Sequence, residues 1–318
     1  MKTMTSIALA AMSCALAVSA WAAGPIRLIV PAAPGGGTDG FFRVLAKDAE
    51  PHLKTSVVVV NVGGAGGSIG VSQMVRAEPD GNTVAGVWMG PVTVAPHTVP
   101  VNYGPHDYIP VLQLTSAPYV LCTRAEFPAD DGAAFVDTLR RHPDQYTFGT
   151  DGAGGPAQLA TVRVFRPLGI RQRDIPYKGA GETLLALLGR QIDIYVGSIP
   201  PIMPYVKNGQ AKCLMVTSAA KVPDLPRAIS LDELQLGQEE TLLWRGLLAP
   251  KGTPPERIAY LEKAFEAAAQ APGTREFVAS AGEQIVILKG EALRQRIDRE
   301  YQALGELVRS LHLGRPGP

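Results

Sequence analysis

The sequence lacks an excess of charge of either sign, and it has no long hydrophobic run after its first residues. Its 318 residues contain 30 Lys and Arg against 29 Asp and Glu, which gives a formal net charge of +1. This balance offers neither a basic surface for a nucleic acid nor a charged tail. The absence of a later run of about 20 apolar residues argues against a membrane-spanning helix. A content of 46% hydrophobic and 19% charged residues is typical of a globular protein.

The sequence also lacks the motifs of common catalytic and metal centres. Its 5 histidines are scattered, without HExxH or another paired metal spacing. No GxSxG elbow occurs. We therefore predict no catalytic residue, no metal and no cofactor, with an α/β enzyme of unrecognised site as an alternative.

Cysteine is scarce, and one of the 3 cysteines lies in a segment that is predicted to be removed. Residues 1–23 have a basic start, an apolar stretch and small residues before an expected cleavage after Ala22 or Ala23. The stretch is too short and too rich in alanine for a spanning helix. Cys122 and Cys213 remain in the mature chain. Export permits a disulfide, but we favour two buried thiols, because sequence alone does not show that they meet.

Glycine and proline are abundant, with 34 and 27 residues, which predicts many turns. Strand-like runs alternate with helix-like runs, and this βαβ order predicts parallel sheets. Extended segments separate two such units. We therefore predict an α/β fold with two lobes, a hinge and a ligand cleft. Residues 24–120 and 245–318 form lobe 1, and residues 121–244 form lobe 2.

The turn APGGGTD at 33–39 follows the first predicted strand. A helix beginning near Thr38 would direct unpaired N–H groups and its dipole at an anion. Asp39 is expected to cap this helix from inside its first turn. A nucleotide is disfavoured, because no GK[ST] triplet occurs and Asn61 stands where a dinucleotide-binding acid is expected.

The turn GTDGAGGPAQL at 149–159 repeats this geometry in the second unit, with a helix beginning near Pro156. Helix N-termini from both lobes would clamp one small carboxylate from two sides. Neither turn contains an arginine. Backbone amides and hydroxyls are therefore expected to recognise the ligand. A further glycine turn at 61–70 is predicted to be structural.

Several motifs, taken in order, resemble the solute receptors of tripartite tricarboxylate transporters, often called the Bug family. They include PIRLIVPAAPGGGTD, VVVVNVGGAGGSIG, YTFGTDGAGGPAQL, IPYKGAGETLLALLGRQIDI and WRGLLAPKGTP, and the resemblance covers nearly the whole mature chain. It implies a type II periplasmic-binding-protein fold, a periplasmic location and a monomer. The ligand would be a di- or tricarboxylate, an amino acid or an aromatic acid, delivered to membrane transporter subunits. A ligand sensor for a signalling partner, using the same cleft, is the alternative.

By position, the resemblance implies a set of ligand-binding residues in the two turns and after a later strand. They are Pro34, Gly35, Gly36, Gly37, Thr38, Asp39, Thr150, Asp151, Gly152, Gly154, Ala157 and Ser198. Trp88, Met89 and Tyr177 complete the predicted ligand-binding set.

Some of these positions depart from the usual family pattern. Asp151 stands where serine or threonine is common, and a carboxylate there would repel a nearby ligand carboxylate. It either accepts from a ligand amino or hydroxyl group or caps the following turn, and we favour the cap. Gln158 replaces a frequent histidine, and Gly197 replaces a polar or acidic residue. For Trp88, stacking on a ligand ring and packing in the core are equally compatible with the sequence.

Overall fold

A computed structural model describes residues 24–35, 37–150, 152, 154–177, 180–311 and 313. The predicted export signal lies outside these residues. The described strands are β1 (Ile26–Val30), β2 (Val57–Asn61), β3 (Thr83–Trp88), β4 (Tyr108–Pro118), β5 (Val120–Arg124), β6 (Thr147–Thr150), β7 (Arg173–Pro176), β8 (Ile194–Gly197), β9 (Ala211–Val216), β10 (Leu242–Pro250) and β11 (Gln284–Lys289).

Helices pack on both faces of the sheets that these strands form. The described α-helices are α1 (Gly37–Leu53), α2 (Ser68–Val75), α3 (Ala95–Thr98), α4 (Gly132–Arg141), α5 (Pro156–Phe165), α6 (Ala180–Leu188), α7 (Ile199–Lys207), α8 (Pro255–Ala269), α9 (Pro272–Ser280) and α10 (Gly290–Ser310). A π-helical turn at Gly90–Val94 joins β3 to α3. No helix of the described chain is long and apolar enough to cross a membrane.

Two mixed sheets divide the described strands between two lobes. The first has the order β11-β4-β10-β3-β1-β2, and the second has the order β7-β6-β8-β5-β9. Strand β1 is parallel to β2 and β3, as the βαβ order predicts. In contrast, β10 runs antiparallel to both β3 and β4. The antiparallel pairs of β10 come from the long extended segments, which interrupt the βαβ order and connect the lobes.

The connections between the lobes are short strand-to-strand links. Strand β4 ends at Pro118 in the first sheet, and β5 begins at Val120 in the second. The chain returns through β10, which pairs with β4 from Leu242 onward. Helix α10 then packs against the π-helical turn of the first lobe and also against α5 of the second. The cleft therefore lies between two lobes that share a narrow hinge.

A disulfide joins Cys122 and Cys213. The expectation of two free thiols is therefore wrong, although both residues are buried as predicted. The bond forms because β5 and β9 are antiparallel neighbours in a register that places the two cysteines opposite each other. It closes a segment of the second lobe with a sequence separation of 91 residues.

Candidate functional site

A cavity of about 670 Å³ lies between the lobes, within the range of about 300–1,000 Å³ that is usual for small-molecule sites. Its wall combines helix N-termini with apolar side chains of both lobes. The lining residues are Gly37, Thr38, Gly66, Trp88, Gly90, Val94, Ala95, Thr98, Val99, Tyr119, Gly152, Gly154, Gly155, Pro156, Ala157, Val196, Gly197, Ser198 and Leu243.

The first glycine turn reaches the cavity through Gly37 and Thr38, which begin α1. Asp39 lies behind them and is buried. Its Oδ2 accepts from the Gly35 N–H at 2.8 Å and from Arg43 Nε at 3.0 Å, while its Oδ1 accepts from Asn61 Nδ2 at 2.8 Å. Although burial raises the pKa of Asp39, hydrogen bonds from Arg43, Gly35 and Asn61 bring that pKa below its ordinary value.

Asp39 thus supports the turn from behind. Asp39 was predicted to cap the N–H groups of α1 from inside its first turn. Instead, it accepts from the N–H of Gly35, four residues earlier. Gly35 has a φ of 83°, which places it in the left-handed region that glycine tolerates. The carboxylate therefore fixes a turn that a bulkier residue would not readily adopt.

The second glycine turn is supported in the same way by Gln158, in the first turn of α5. Gln158 Oε1 accepts from the Gly154 N–H at 2.5 Å, and Gly154 has a φ of 70°. Gln158 Nε2 donates to Asp174 Oδ2 at 2.5 Å, and Thr150 Oγ1 donates to Asp174 Oδ1 at 2.8 Å. Burial raises the pKa of Asp174, and the hydrogen bonds from Thr150 and Gln158 oppose that rise.

The two turns therefore share one construction. In each, the N–H of a left-handed glycine donates to a side chain four residues later, at the start of the following helix. The next residues, Gly37–Thr38 in one lobe and Gly155–Ala157 in the other, line the cavity. The helices bring their positive ends to opposite walls, which favours an anion between them.

Trp88, at the end of β3, lines the cavity and is half-buried. Glycines fix the indole on two sides. A Cβ added at Gly67 would lie 2.9 Å from Trp88 Cη2, and one added at Gly90 would lie 3.2 Å from both Cδ1 and Cε2 of the indole. These two positions lack side chains where the indole packs, so that Trp88 forms a flat part of the wall.

Three other predicted residues lie away from the lining of the cavity. Met89 is fully buried, with its Sδ 4.0 Å from the Tyr119 hydroxyl, and Thr150 is fully buried with its hydroxyl on Asp174. Tyr177 packs over Gly149, where an added Cβ would lie 3.2 Å from Tyr177 Cε2.

Two further predicted residues belong to the outer part of the first turn. Pro34 and Gly35 are exposed there and do not line the cavity. Gly36 and Asp151 lie outside the described residues. The role predicted for Asp151 therefore stays a prediction. Of the predicted residues, the structure places the following in the cavity lining: Gly37, Thr38, Trp88, Gly152, Gly154, Ala157 and Ser198.

Sequence reasoning missed most of the apolar wall. It is formed by Val94, Ala95, Val99, Tyr119, Val196 and Leu243, with Gly66, Gly90, Thr98, Gly155, Pro156 and Gly197 between them. These residues come from the glycine turn at 61–70, the π-helical turn with α3, the hinge, the start of α5 and the end of β8. A signal was present in the turn residues GP at 90–91 after a strand, which marks a strand end close to the cleft.

Sequence reasoning also missed Arg245, a buried cation next to the first turn. Its Nη1 forms an ion pair with Glu283, and the two side chains are 7% and 5% exposed. Its Nε lies 3.4 Å from Thr38 Oγ1. Gly282, beside Glu283, approaches the second lobe, because a Cβ added there would lie 3.2 Å from Ile199 Cβ. The ion pair therefore lies between a cavity residue and a contact that joins the lobes.

Nothing in the described part of the chain assembles a metal site, since no group of three His, Cys, Asp or Glu residues is positioned to hold an ion. Apart from the Tyr119 phenol, the described lining contains no ionisable side chain.

The fold and the cavity together define a two-lobed solute-binding protein. The family model for the tripartite tricarboxylate transporter family receptor matches residues 41–313. The chain belongs to this family.

Relatives of similar sequence support the family, and two of known structure confirm the predicted two-lobed fold. The chain is 29% identical over 310 residues to protein BugT of Bordetella pertussis, covering 95% of this chain and 94% of that protein. A TctC solute-binding protein from Polaromonas has a TM-score of 0.80 and 27% identity, covering 91% and 99% of the two chains. MatC from Rhodopseudomonas palustris, solved with bound malate, has a TM-score of 0.72 and 26% identity, covering 89% and 98%.

Proposed function

We propose that this protein is a periplasmic receptor that closes its two lobes over a small carboxylate and delivers it to membrane subunits of a tripartite tricarboxylate-type transporter. In this proposal residues 1–23 direct export. Lobe 1 comprises residues 24–120 and 245–318, and lobe 2 comprises residues 121–244. The receptor acts as a monomer and releases its ligand chemically unchanged.

One observation supports this proposal above the others: braced glycine turns of both lobes present helix N-termini to the same cavity. A helix N-terminus stabilises a nearby negative charge by about 0.3–1 kcal/mol, and by up to about 2 kcal/mol when partly buried. A carboxylate has oxygens enough to accept from both walls at once. Its binding would therefore favour the closed arrangement of the lobes.

The hydroxyls at the cavity extend this recognition. Thr38 lies at the start of α1, and Ser198 precedes α7 on the other lobe. MatC, to which this chain is similar in structure, was solved with bound malate, a dicarboxylate. We propose that Thr38 and Ser198 donate to the ligand carboxylate from opposite sides.

The test uses the mature chain and a panel of mono-, di- and tricarboxylates and amino acids. A ligand at about 100 times its Kd adds about 2.7 kcal/mol to the free energy of unfolding, which a thermal-shift screen detects. Calorimetry then measures the affinity of Thr38→Ala and Ser198→Ala. Because a hydrogen bond to a charged group contributes about 1.5–3 kcal/mol, each variant should bind about tenfold to a hundredfold more weakly.

The matched control is Thr55→Ala, which removes a threonine hydroxyl outside the cavity lining, bonded to the Gly24 carbonyl. It should bind like the wild type. Ligand recovered after incubation should be unchanged by mass spectrometry. A screen in which no carboxylate stabilises the protein, or a recovered product, would refute the proposal.

A further inference from the structure

Arg245 is a buried cation that reaches the first glycine turn from behind the cavity lining. It lies on β10, opposite Trp88 of β3. Its Nε donates to Thr38 Oγ1 at 3.4 Å, and a Cβ added at Gly37 would lie 3.5 Å from its Nη2. The guanidinium therefore lies against the two residues that begin α1 and line the cavity.

Stability does not account for a cation at this position. Arg245 forms its ion pair with Glu283 away from water, and apolar residues in place of such a pair are often neutral or stabilising. The guanidinium also lies at the N-terminus of α1, where the helix dipole disfavours a positive charge. We therefore look for the role of Arg245 in what it does to Thr38.

The contact with Arg245 determines which way the Thr38 hydroxyl donates. A threonine hydroxyl has one proton and two lone pairs, and an arginine side chain is a donor that stays protonated. When Thr38 Oγ1 accepts from Arg245 Nε, its own proton must go to another acceptor, and Thr38 lies in the cavity lining. A charged donor on the oxygen also polarises the hydroxyl and strengthens the bond that it donates. Thr38 is thus prepared to donate to a carboxylate, which only accepts.

Glu283 holds the guanidinium in place from a loop that touches the second lobe. Its neighbour Gly282 packs there, since an added Cβ would lie 3.2 Å from both Cβ and Cγ2 of Ile199. Ile199 begins α7 and directly follows Ser198, the hydroxyl residue of the opposite cavity wall. The ion pair is therefore anchored between the two residues that carry cavity hydroxyls.

Resting on the proposed receptor function, we infer that Arg245 is a positioning residue for ligand binding that acts through Thr38. Its guanidinium, held by Glu283, fixes the Thr38 hydroxyl as a donor to the ligand carboxylate. Arg245 itself lies outside the lining.

A double-mutant cycle tests this role by calorimetry. The probe is the carboxylate of the panel that gives the wild-type mature chain its largest thermal shift. The cycle compares the wild type, Thr38→Ala, Arg245→Met/Glu283→Met and the variant that combines all three changes. Replacing both partners of the pair leaves no stranded charge. The loss of the pair should weaken binding about tenfold when Thr38 is present, and less than about twofold when alanine replaces it.

Arg245→Lys separates positioning from charge. Lysine keeps a positive charge beside Glu283 but lacks the planar fork that reaches Glu283 and Thr38 at once. It should weaken binding about as much as the double methionine variant does. Wild-type affinity in Arg245→Lys would indicate that charge alone matters and would overturn the inference.

The matched control is Lys212→Met, which removes a buried cation of the second lobe, paired with Asp130 outside the cavity lining. It should bind like the wild type. Circular dichroism verifies that each variant is folded at the temperature of the titration. Equal weakening with Thr38 and with alanine at this position, or no weakening in either, would overturn the inference and leave the receptor function intact. Failure of every carboxylate to bind the wild type would overturn both proposals.

Discussion

The buried ion pair between Arg245 and Glu283 gives the sharpest quantitative prediction. The perturbation is Glu283→Gln, which leaves the Arg245 guanidinium at 7% exposure without its carboxylate. Neighbouring groups compensate poorly, because Thr38 Oγ1 is 3.4 Å from Nε and the Phe41 ring centroid is 5.6 Å from Cζ. Removing one partner of a buried pair costs about 3–5 kcal/mol. We therefore expect a loss of this size in the free energy of unfolding.

The double variant Arg245→Met/Glu283→Met separates a stranded charge from a generally intolerant site. Replacing both partners of a buried pair by apolar residues is often neutral or stabilising by about 1–4 kcal/mol. The double variant should therefore recover most of the stability that Glu283→Gln loses.

Asp144→Asn provides the control for the ion pair itself. Arg171 Nε lies 2.7 Å from Asp144 Oδ2, but these side chains are 72% and 49% exposed. Exposed pairs contribute about 0–1 kcal/mol. Asn also tolerates the φ of 58° at this position. Urea unfolding, followed by circular dichroism, measures all three variants. A loss below about 1 kcal/mol in Glu283→Gln, equal to that of the control, would refute the assignment of a desolvated pair.

Three further predictions concern stability. Replacing Cys122 and Cys213 with serine should lower the free energy of unfolding by about 4.6 kcal/mol on the chain-entropy account for a separation of 91 residues. Urea unfolding measures this loss of stability, and an unchanged midpoint of unfolding would contradict the prediction. Asp39→Ala should destabilise the protein at neutral pH. Because the native pKa of Asp39 is lowered, the carboxylate stabilises the fold above the ordinary pKa of 3.8, and this stabilisation is lost as pH falls through the native pKa. The stabilities of the wild type and Asp39→Ala should therefore converge in acid. Burial raises the pKa of Glu300, so the contribution of Glu300 to stability is fully present below the ordinary pKa of 4.5 and is lost as pH rises through the native pKa. Glu300→Gln should therefore be more harmful at pH 5 than at pH 8, and a pH-independent difference would count against this reasoning.

The glycine turns could be predicted from sequence because their chemistry is local. A strand, a run of glycines and a helix start within a few residues fix where the N–H groups point. For the same reason the equivalence of the turns at 33–39 and 149–159 was visible. The side chains that support the turns were harder to predict. The pattern predicted that Asp39 caps α1, whereas Asp39 accepts from the N–H of Gly35, four residues earlier.

Features that depend on strand register could not be predicted. Arg245 approaches Thr38 because β10 inserts between β3 and β4, with Arg245 opposite Trp88. The disulfide likewise requires β5 and β9 to be neighbours with Cys122 opposite Cys213. Pairing over such sequence separations is set by the whole sheet, and no local spacing encodes it.

The paired supports also bear on the proposed binding of an anion in a cavity whose described lining carries no charged side chain. Each support uses one turn N–H, from Gly35 or Gly154, and thereby orders the turn without ligand. Asp39 does so as an anion neutralised by Arg43, and Gln158 does so as a neutral amide, so neither adds a net charge that would oppose the ligand. Turns that are already ordered do not have to be ordered on binding. The ordering left to the ligand is then mainly the closure of two lobes about a short hinge.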